Sequence, residues 1–290
     1  MLQSLHSMVT SQSAFYYNPF LQLLAEASHT ITARGLALYA ADPPKYAQLA
    51  ALPFPAYIPL LAEELKTPAF LELLSASRLL FGEPSRGLTD LDLETLRQHF
   101  YQLIGQAASS QTWFPQEGGH SQRVARIAAT LAEQLGYSSP EIHEITWGGL
   151  LHDVGKLFVG ELFVALEGQG LPSPVTLPFI RAHASLGRSF LESVLPLFPT
   201  ALTCAALHQE SVDGSGYPQG LTYAQLTVES QIVNLADGYD ATVTRMGWSA
   251  PQVCIDAEQM YARAGHPDAL ILSTFIYIVN EHHQEWYPTA

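Results

Sequence analysis

A histidine and an aspartate stand side by side at positions 152 and 153, between an apolar run and Gly155. Imidazole binds Zn, Fe or Mn, and a carboxylate can bridge two such ions. Neighbouring residues of a helix point in different directions, so these two side chains converge only where a helix ends. Gly155 permits such a turn. On its own, the pair fits an ordinary helix C-terminus equally well, because histidine interacts favourably with the helix dipole there.

Four further residues of the metal-binding types fall on apolar helix faces. His120 continues the apolar stripe of its helix, and His183, His208 and Asp237 do the same in three other helices. A single inward histidine is usually a hydrogen-bonded core residue. Four inward polar groups on separate helices are costly to bury unless one partner satisfies them together. The set therefore predicts a metal centre, whose nitrogen and oxygen donors suit Fe, Mn or Zn rather than Ca.

A glycine-rich turn from Asp213 to Gly220 follows His208 closely. Taken alone, it reads as an ordinary loop in which Gly214 and Gly216 adopt positive φ. Beside a metal centre, the same turn can bring its backbone close to a bulky ligand. Tyr217 can then stack on that ligand or donate a hydrogen bond to it.

The charge balance restricts the ligands that such a site could take. The 290 residues include 13 Lys and Arg against 27 Asp and Glu, which gives a net charge of −14. Extended nucleic-acid binding is disfavoured because it needs basic side chains, but a small anion held by metal ions is compatible with this charge. The two cysteines, Cys204 and Cys254, indicate neither disulfides nor a Cys-type zinc site. We find no signal peptide or membrane span and expect a cytoplasmic protein.

The elements that position these residues are predicted to be helices throughout. Prolines divide the first part of the chain into helices at Pro19–Tyr39, Pro44–Leu52, Ala56–Leu65, Pro68–Leu80 and Asp90–Ala107. A helix ending at Gly136 follows, and then Ser139–Leu151, a loop over Gly160–Leu177, Pro178–Leu195, Pro199–Gln209, Val228–Thr244, Pro251–Ala264 and Pro267–His282. We expect an all-α chain with a helical N-terminal domain (1–108), regulatory or oligomerising in role, and a metal-binding domain (109–290).

Five motifs, in order along the chain, carry a family resemblance. They are His120-Ser-Gln-Arg-Val124, His152-Asp-Val-Gly-Lys156, Arg181-Ala-His183, His208 to Pro218, and Leu235-Ala-Asp-Gly-Tyr-Asp-Ala241. Together they resemble the HD-GYP subgroup of the HD metal-dependent phosphohydrolases, over about residues 112 to 280. The resemblance implies a bacterial, all-helical bundle that encloses a metal centre and hydrolyses cyclic di-GMP to pGpG or GMP. It also implies two divalent metal ions, Fe or Mn, with Zn and Ni as alternatives.

The same resemblance assigns roles to individual residues. The ligands of one metal would be His120, His152, Asp153 and Asp237. Asp153 would bridge to a second metal, also held by His183 and His208, and Lys156 would contact phosphate or assist the leaving group. Asp153 and Lys156 are thus the expected catalytic residues. The expected substrate contacts are Gly214, Gly216, Tyr217, Pro218, Arg181 and Arg188, with Arg245 as a further candidate.

Several positions depart from the family pattern. Gln209 replaces the second of two consecutive histidines, and Gln116 stands where three-metal members have glutamate, so we expect at most two metals. Glu167-Gly-Gln-Gly170 replaces a Lys-Pro-Gly, and Ala184 replaces a proline. These departures leave open a degenerate protein that binds nucleotide or a partner without hydrolysis, and also a different nucleotide substrate. The expected partners are cyclic di-GMP, diguanylate-cyclase-type or other signalling proteins, and a second copy in a homodimer.

Overall fold

The computed structural model describes residues 14–52, 56–81, 119–170, 173–194, 198–266 and 269–288. The N-terminal helices are α1 (Ala14–Ala41), α2 (Pro43–Ala51), α3 (Tyr57–Leu65) and α4 (Pro68–Phe81). They are followed by α5 (His120–Gln134), α6 (Ser139–Leu151), α7 (Lys156–Gly168), α8 (Ser173–Arg181), α9 (His183–Val194), α10 (Pro199–Leu207), α11 (Val228–Met246), α12 (Ala250–Arg263) and α13 (Leu270–Trp286). No strand forms within the described ranges, and the predicted all-α fold is confirmed.

Local sequence signals explain where several helices begin. Asp42 caps α2, since its carboxylate accepts a hydrogen bond from Lys45 N. Ser138 caps α6, and the Glu141 carboxylate completes the cap by accepting a hydrogen bond from Ser138 N at 2.8 Å. None of the described helices is long and apolar enough to cross a lipid bilayer.

Two hydrophobic clusters hold these helices together. The first joins α1–α4 to the helices from α6 to α10, and the second joins α5 and α6 to the helices from α10 to α13. Helices α6 and α10 contribute to both clusters. The polar residues at their C-terminal ends therefore lie at the junction between the two clusters.

The N-terminal helices pack directly against the helices that carry the metal-type residues. Phe70 of α4 meets Phe158 of α7 edge-on at 4.9 Å between ring centroids, and Tyr46 of α2 lies 4.6 Å from Phe179 of α8. The division near residue 108 and the helix expected at Asp90–Ala107 fall in residues 82–118, outside the described ranges. The two-domain division stays a prediction, although the described N-terminal helices share one core with the bundle.

Two of the expected elements are wrong. The segment 160–177 was expected to be a loop, but α7 and most of α8 occupy it. The apolar face of α7 is buried against the first cluster, which outweighs the cost of about 1 kcal/mol for a glycine such as Gly160 within a helix. The helix expected over Pro178–Leu195 is instead divided at Ala182, so that His183 begins a helix of its own.

Candidate metal centre

Six side chains with nitrogen or carboxylate donors converge between five helices. His120 begins α5, His152 and Asp153 follow α6, His183 begins α9, His208 follows α10, and Asp237 lies within α11. Five of them are almost fully buried, and the Asp237 side chain retains 13% of its exposure. Helix ends thus supply most of these donors, because the chain turns there and can direct side chains inward.

Asp153 stands between two groups of donors and belongs to both. The first group also contains His120, His152 and Asp237, and the second also contains His183 and His208. Its Oδ2 lies 3.2 Å from His152 Nε2 and 3.6 Å from His120 Nε2. Its Oδ1 lies 3.4 Å from His183 Nε2 and 3.6 Å from His208 Nε2. Asp237 Oδ1, 3.1 Å from His120 Nε2, completes the first group. Donors that surround one ion at about 2.1 Å are roughly 3 to 3.5 Å apart, so each group has the spacing of a metal site.

The hydrogen bonding of Asp153 tests whether this donor set fits a metal. Asp153 Oδ1 is buried and has no hydrogen-bond partner. A buried carboxylate oxygen without a partner is costly, and a cation between Oδ1 and the two nearby imidazoles would satisfy it. The residues present therefore fit divalent ions.

The histidines are held with Nε2 facing the centre. Each Nδ1 meets an acceptor: Gly149 O for His152 (2.6 Å), Ile180 O for His183 (2.7 Å), Ala205 O for His208 (2.7 Å) and Asp240 Oδ2 for His120 (2.6 Å). When a metal is bound, such contacts would keep the remaining proton of each ring on Nδ1 and leave the Nε2 lone pair to the metal.

Asp240 is a buried residue of the site that the sequence analysis missed. Its carboxylate accepts hydrogen bonds from His120 Nδ1, from Arg123 and from the Tyr287 hydroxyl. A carboxylate behind a ligand histidine orients the ring and raises its basicity. The available signal was spacing, since Arg123 follows His120 by three residues and Asp240 follows Asp237 by three.

We expect Asp240→Asn to weaken the first metal site without unfolding the chain. The amide cannot accept from His120, Arg123 and Tyr287 as the carboxylate does, so Mn²⁺ affinity should fall by about 10- to 100-fold. Competition titration against a metal-responsive dye measures this, and thermal melting checks the fold. Tyr287→Phe, which removes only one of these bonds, should have a smaller effect. Equal affinities for the parent and Asp240→Asn would contradict the role.

The two groups differ in electrostatic character. For His120, burial opposes protonation, but hydrogen bonds with Asp237 and Asp240 outweigh it and raise the pKa to about 10. Burial lowers the pKa of His183 to about 3, against the pull of Asp153. Burial also disfavours charge on Asp153, yet Lys156 and His152 hold the pKa of this carboxyl well below its usual value. The first group therefore attracts positive charge strongly, whereas His183 is a neutral imidazole.

Gln209 occupies the position where the family resemblance implies the second of two consecutive histidines. Its side-chain Nε2 donates to Asp237 Oδ2 at 3.2 Å, so the amide nitrogen faces the first group. The second group therefore consists of Asp153, His183 and His208. It offers fewer strong donors than the first group.

The glycine-rich loop after His208 is tied down by two residues that the sequence analysis also missed. The buried Glu210 carboxylate accepts hydrogen bonds from Gln219 N at 2.7 Å and Leu221 N at 2.8 Å. Asn234 of α11 donates to the carbonyl oxygens of His208 and Glu210. The loop is thus fixed to the helix that carries Asp237.

Glycines in this region serve different purposes from those expected. Gly214 has the expected positive φ of 79°, but Gly216 does not. A Cβ on Gly216 would lie 2.2 Å from Ser211 N, so close backbone packing excludes a side chain there. Gly155 has φ −63° rather than a left-handed turn, and its Cβ would lie 1.9 Å from His183 O. Gly155 therefore allows the His152-Asp153 turn to pack against the start of α9.

A cavity of about 840 Å³ opens above the cluster. Its walls include Asp153, Lys156, Gln209, Tyr217 and Asp237 near the cluster. Phe163, Glu167 and Arg245 line it as well. The volume is within the range typical of sites for small ligands.

Not all of the expected substrate contacts lie in the cavity wall. Arg188 is on the surface, where it pairs with Glu192 at 2.9 Å, and the structure does not bring it to the site. Arg181 lies behind Tyr217, with its guanidinium 5.3 Å from the centre of the tyrosine ring. Of the expected loop residues, Tyr217 lines the cavity, while Gly214, Gly216 and Pro218 do not.

Comparison with known proteins gives the family. The profile of the HD domain family matches residues 107–269, which is more than half of the chain. This chain belongs to the HD domain family. The family implies divalent metal binding, in agreement with the histidine and aspartate clusters.

Curated relatives place the chain within the family. A "Cyclic di-GMP phosphodiesterase" of Thermotoga maritima is 31% identical over 134 residues, 46% of this chain and 36% of that protein. A "3'3'-cGAMP-specific phosphodiesterase 3" of Vibrio cholerae is 28% identical over 194 residues, 64% of this chain and 40% of that protein. A cyclic di-GMP phosphodiesterase of Pseudomonas aeruginosa is 29% identical over 161 residues, 54% and 38% of the two chains. The chain thus spans about two fifths of the length of these relatives, and its predicted HD-GYP membership is confirmed.

Proposed function

We propose that this chain is a metal-dependent phosphodiesterase that hydrolyses cyclic di-GMP to pGpG or GMP. One observation carries the proposal. The two carboxylate oxygens of Asp153 face two separate groups of histidines, and Asp153 also lines a cavity large enough for a small ligand. The cyclic dinucleotide phosphodiesterases among the relatives support the substrate class.

Two divalent ions, Fe or Mn with Zn and Ni as alternatives, would be held by the two groups. His120, His152, Asp153 and Asp237 would hold the first ion, and Asp153, His183 and His208 the second. When bound, such ions polarise the phosphoryl group and activate water for attack on it. Because the chain is so acidic, these ions would supply much of the positive charge for an anionic substrate.

Among the described residues, Lys156 and Tyr217 line the cavity next to the metal cluster and are placed to contact the substrate phosphate. Lys156 Nζ lies 2.6 Å from Asp153 Oδ2 and also lines the cavity, so the ammonium group can offer a further hydrogen to a phosphate oxygen. Desolvation raises the pKa of Tyr217 above its ordinary value, so its hydroxyl keeps its proton and can donate it. Lys156 thus balances the charge of Asp153 and also lines the cavity in which the substrate would bind.

Two alternatives have observations in their favour. Gln209 leaves the second group short of a donor, which favours a degenerate protein that binds the nucleotide or a partner without hydrolysis. The Vibrio cholerae relatives named as specific for 3'3'-cGAMP favour a different cyclic dinucleotide as substrate. Association with diguanylate-cyclase-type or other signalling proteins, and a homodimer, stay predictions from the resemblance.

Product analysis separates these functions. Protein purified without oxygen and loaded with Fe²⁺ or Mn²⁺ is incubated with cyclic di-GMP, and in parallel with 3'3'-cGAMP, and the products are separated by chromatography. We expect pGpG or GMP from cyclic di-GMP, with loss of turnover on chelation. Binding without product by metal-loaded protein would favour the degenerate alternative. A large preference for 3'3'-cGAMP would replace the proposed substrate.

Glu167 should weaken the binding of any anionic substrate. It is an exposed residue of the cavity wall on α7, at a position where the family resemblance implies a lysine. We expect Glu167→Lys to lower KM for cyclic di-GMP by about three- to tenfold at low ionic strength, with a smaller gain at high salt. Glu161→Lys, on the same helix but away from the cavity wall, makes the same change of charge and should leave KM nearly unchanged. Equal effects of the two variants would show that only net charge matters.

A further inference from the structure

A contact between the N-terminal helices and the glycine-rich loop runs through three side chains. The buried Tyr57 of α3 accepts a hydrogen bond through its hydroxyl from Arg181 Nη1 at 3.2 Å. The Arg181 guanidinium stands over the Tyr217 ring, 5.3 Å from its centroid. The Tyr217 ring in turn meets the His183 ring edge-on, at 6.3 Å between centroids. The N-terminal helices are thus separated from a residue of the metal cluster by only two side chains.

The order of these contacts indicates what each does. A guanidinium over an aromatic ring is attracted by the ring, but only while the flexible arginine side chain keeps that position. One nitrogen of the guanidinium donates to the Tyr57 hydroxyl, and the guanidinium lies over the ring of Tyr217. Tyr217 is also joined to the start of the loop, since its N–H donates to Gln209 O at 2.9 Å. Loss of the Tyr57 hydroxyl should therefore loosen Arg181 first and Tyr217 next.

We propose that Tyr57 is a positioning residue for the site, which acts through Arg181 on Tyr217 and so lets the N-terminal helices set the order of the loop after His208. Tyr57 lies outside residues 107–269, which match the family profile. The coupling therefore depends on the N-terminal part of this chain. A displacement of α3 would move Tyr57 and, through Arg181, would change the position of Tyr217. The inference rests on the proposed function only in taking this loop as the substrate-binding loop.

The test removes one hydroxyl group. In Tyr57→Phe, hydrogen exchange of the backbone amides of residues 209–221 should become about two- to fivefold faster. This factor corresponds to losing the cation–π contact between Arg181 and Tyr217. KM for cyclic di-GMP should rise by a similar factor, with kcat and bound Mn²⁺ close to those of the parent. Tyr46→Phe is the matched control. It deletes a hydroxyl from another buried N-terminal tyrosine packed on α8, and should change neither loop exchange nor KM.

A double-mutant cycle tests the route through arginine. Arg181→Gln should loosen the loop as Tyr57→Phe does, and the double variant should be no looser than Arg181→Gln alone. Additive effects, or unchanged loop exchange in Tyr57→Phe, would overturn the coupling. Exchange is measured without turnover, so a parent protein that hydrolyses nothing would refute the proposed function and leave the coupling to be judged by exchange alone.

Discussion

Asp153→Ala should release both metal ions and reduce turnover of cyclic di-GMP by at least about a thousandfold. The reason is its position, since Asp153 Oδ2 belongs to the first group of histidines and Oδ1 to the second. Removing any other single ligand leaves one group intact, whereas removing Asp153 damages both. Elemental analysis of protein purified without oxygen measures the ions directly, alongside the rate of product formation.

Two further variants make the Asp153 result interpretable. Asp153→Ala also removes the carboxylate that lies 2.6 Å from the ammonium group of the buried Lys156, so a loss of metal could follow from misfolding. Asp153→Asn keeps the shape of the side chain and should lose the ions as well, with helical content preserved by circular dichroism. Asp256→Asn alters an exposed aspartate of α12 and should retain both ions. Retention of two ions by folded Asp153→Asn would count against a bridging role.

Gln209→His should strengthen binding of the second ion by about 10- to 100-fold, the scale of effect seen when a metal site gains or loses a supporting group. Gln209 lines the cavity beside His208, and its amide is engaged with Asp237 rather than with the second group. An imidazole there would add a donor that the amide does not supply. We therefore expect the parent to bind one ion tightly and the second weakly, and the variant to turn over substrate faster at low metal concentration.

A metal titration with simultaneous rate measurements tests this expectation. Gln209→Asn serves as the control, because it changes the amide's reach without adding an imidazole, and it should bind the second ion no better than the parent. If the parent already holds two ions with equal affinity and turns over substrate fully, Gln209 is a competent substitute and the second group is complete as it stands.

The all-helical fold and the residues of the metal cluster could be predicted from the sequence. The residues that hydrogen-bond to the cluster and to the loop after His208 could not. Helical periodicity placed His120, His183 and His208 on inward faces, and the structure brings them together with His152 and Asp153. Helix α7 was missed because Gly160 was read as a loop signal, although the apolar face around it is buried. A local pattern cannot show how much a face will bury, because the neighbour that covers it lies far away in the chain.

The missed residues depend on long-range pairing. Asp240 contacts Tyr287, 47 residues later, and Arg123, 117 residues earlier, so its role appears only once α5, α11 and the C-terminal segment are packed. Glu210 accepts from backbone groups nine and eleven residues away, which requires the folded loop. The same holds for Tyr57 and Arg181, whose contact joins two helices far apart in sequence.

Locating the ions themselves would test most directly whether Asp153 bridges two metals. Crystals of the protein loaded with Mn²⁺ without oxygen would be measured by anomalous diffraction. We expect two peaks about 3.5 to 4 Å apart, with the Asp153 carboxylate between them and His120 and His183 on opposite sides. A single peak at saturating Mn²⁺, or two peaks that do not share Asp153, would contradict this expectation.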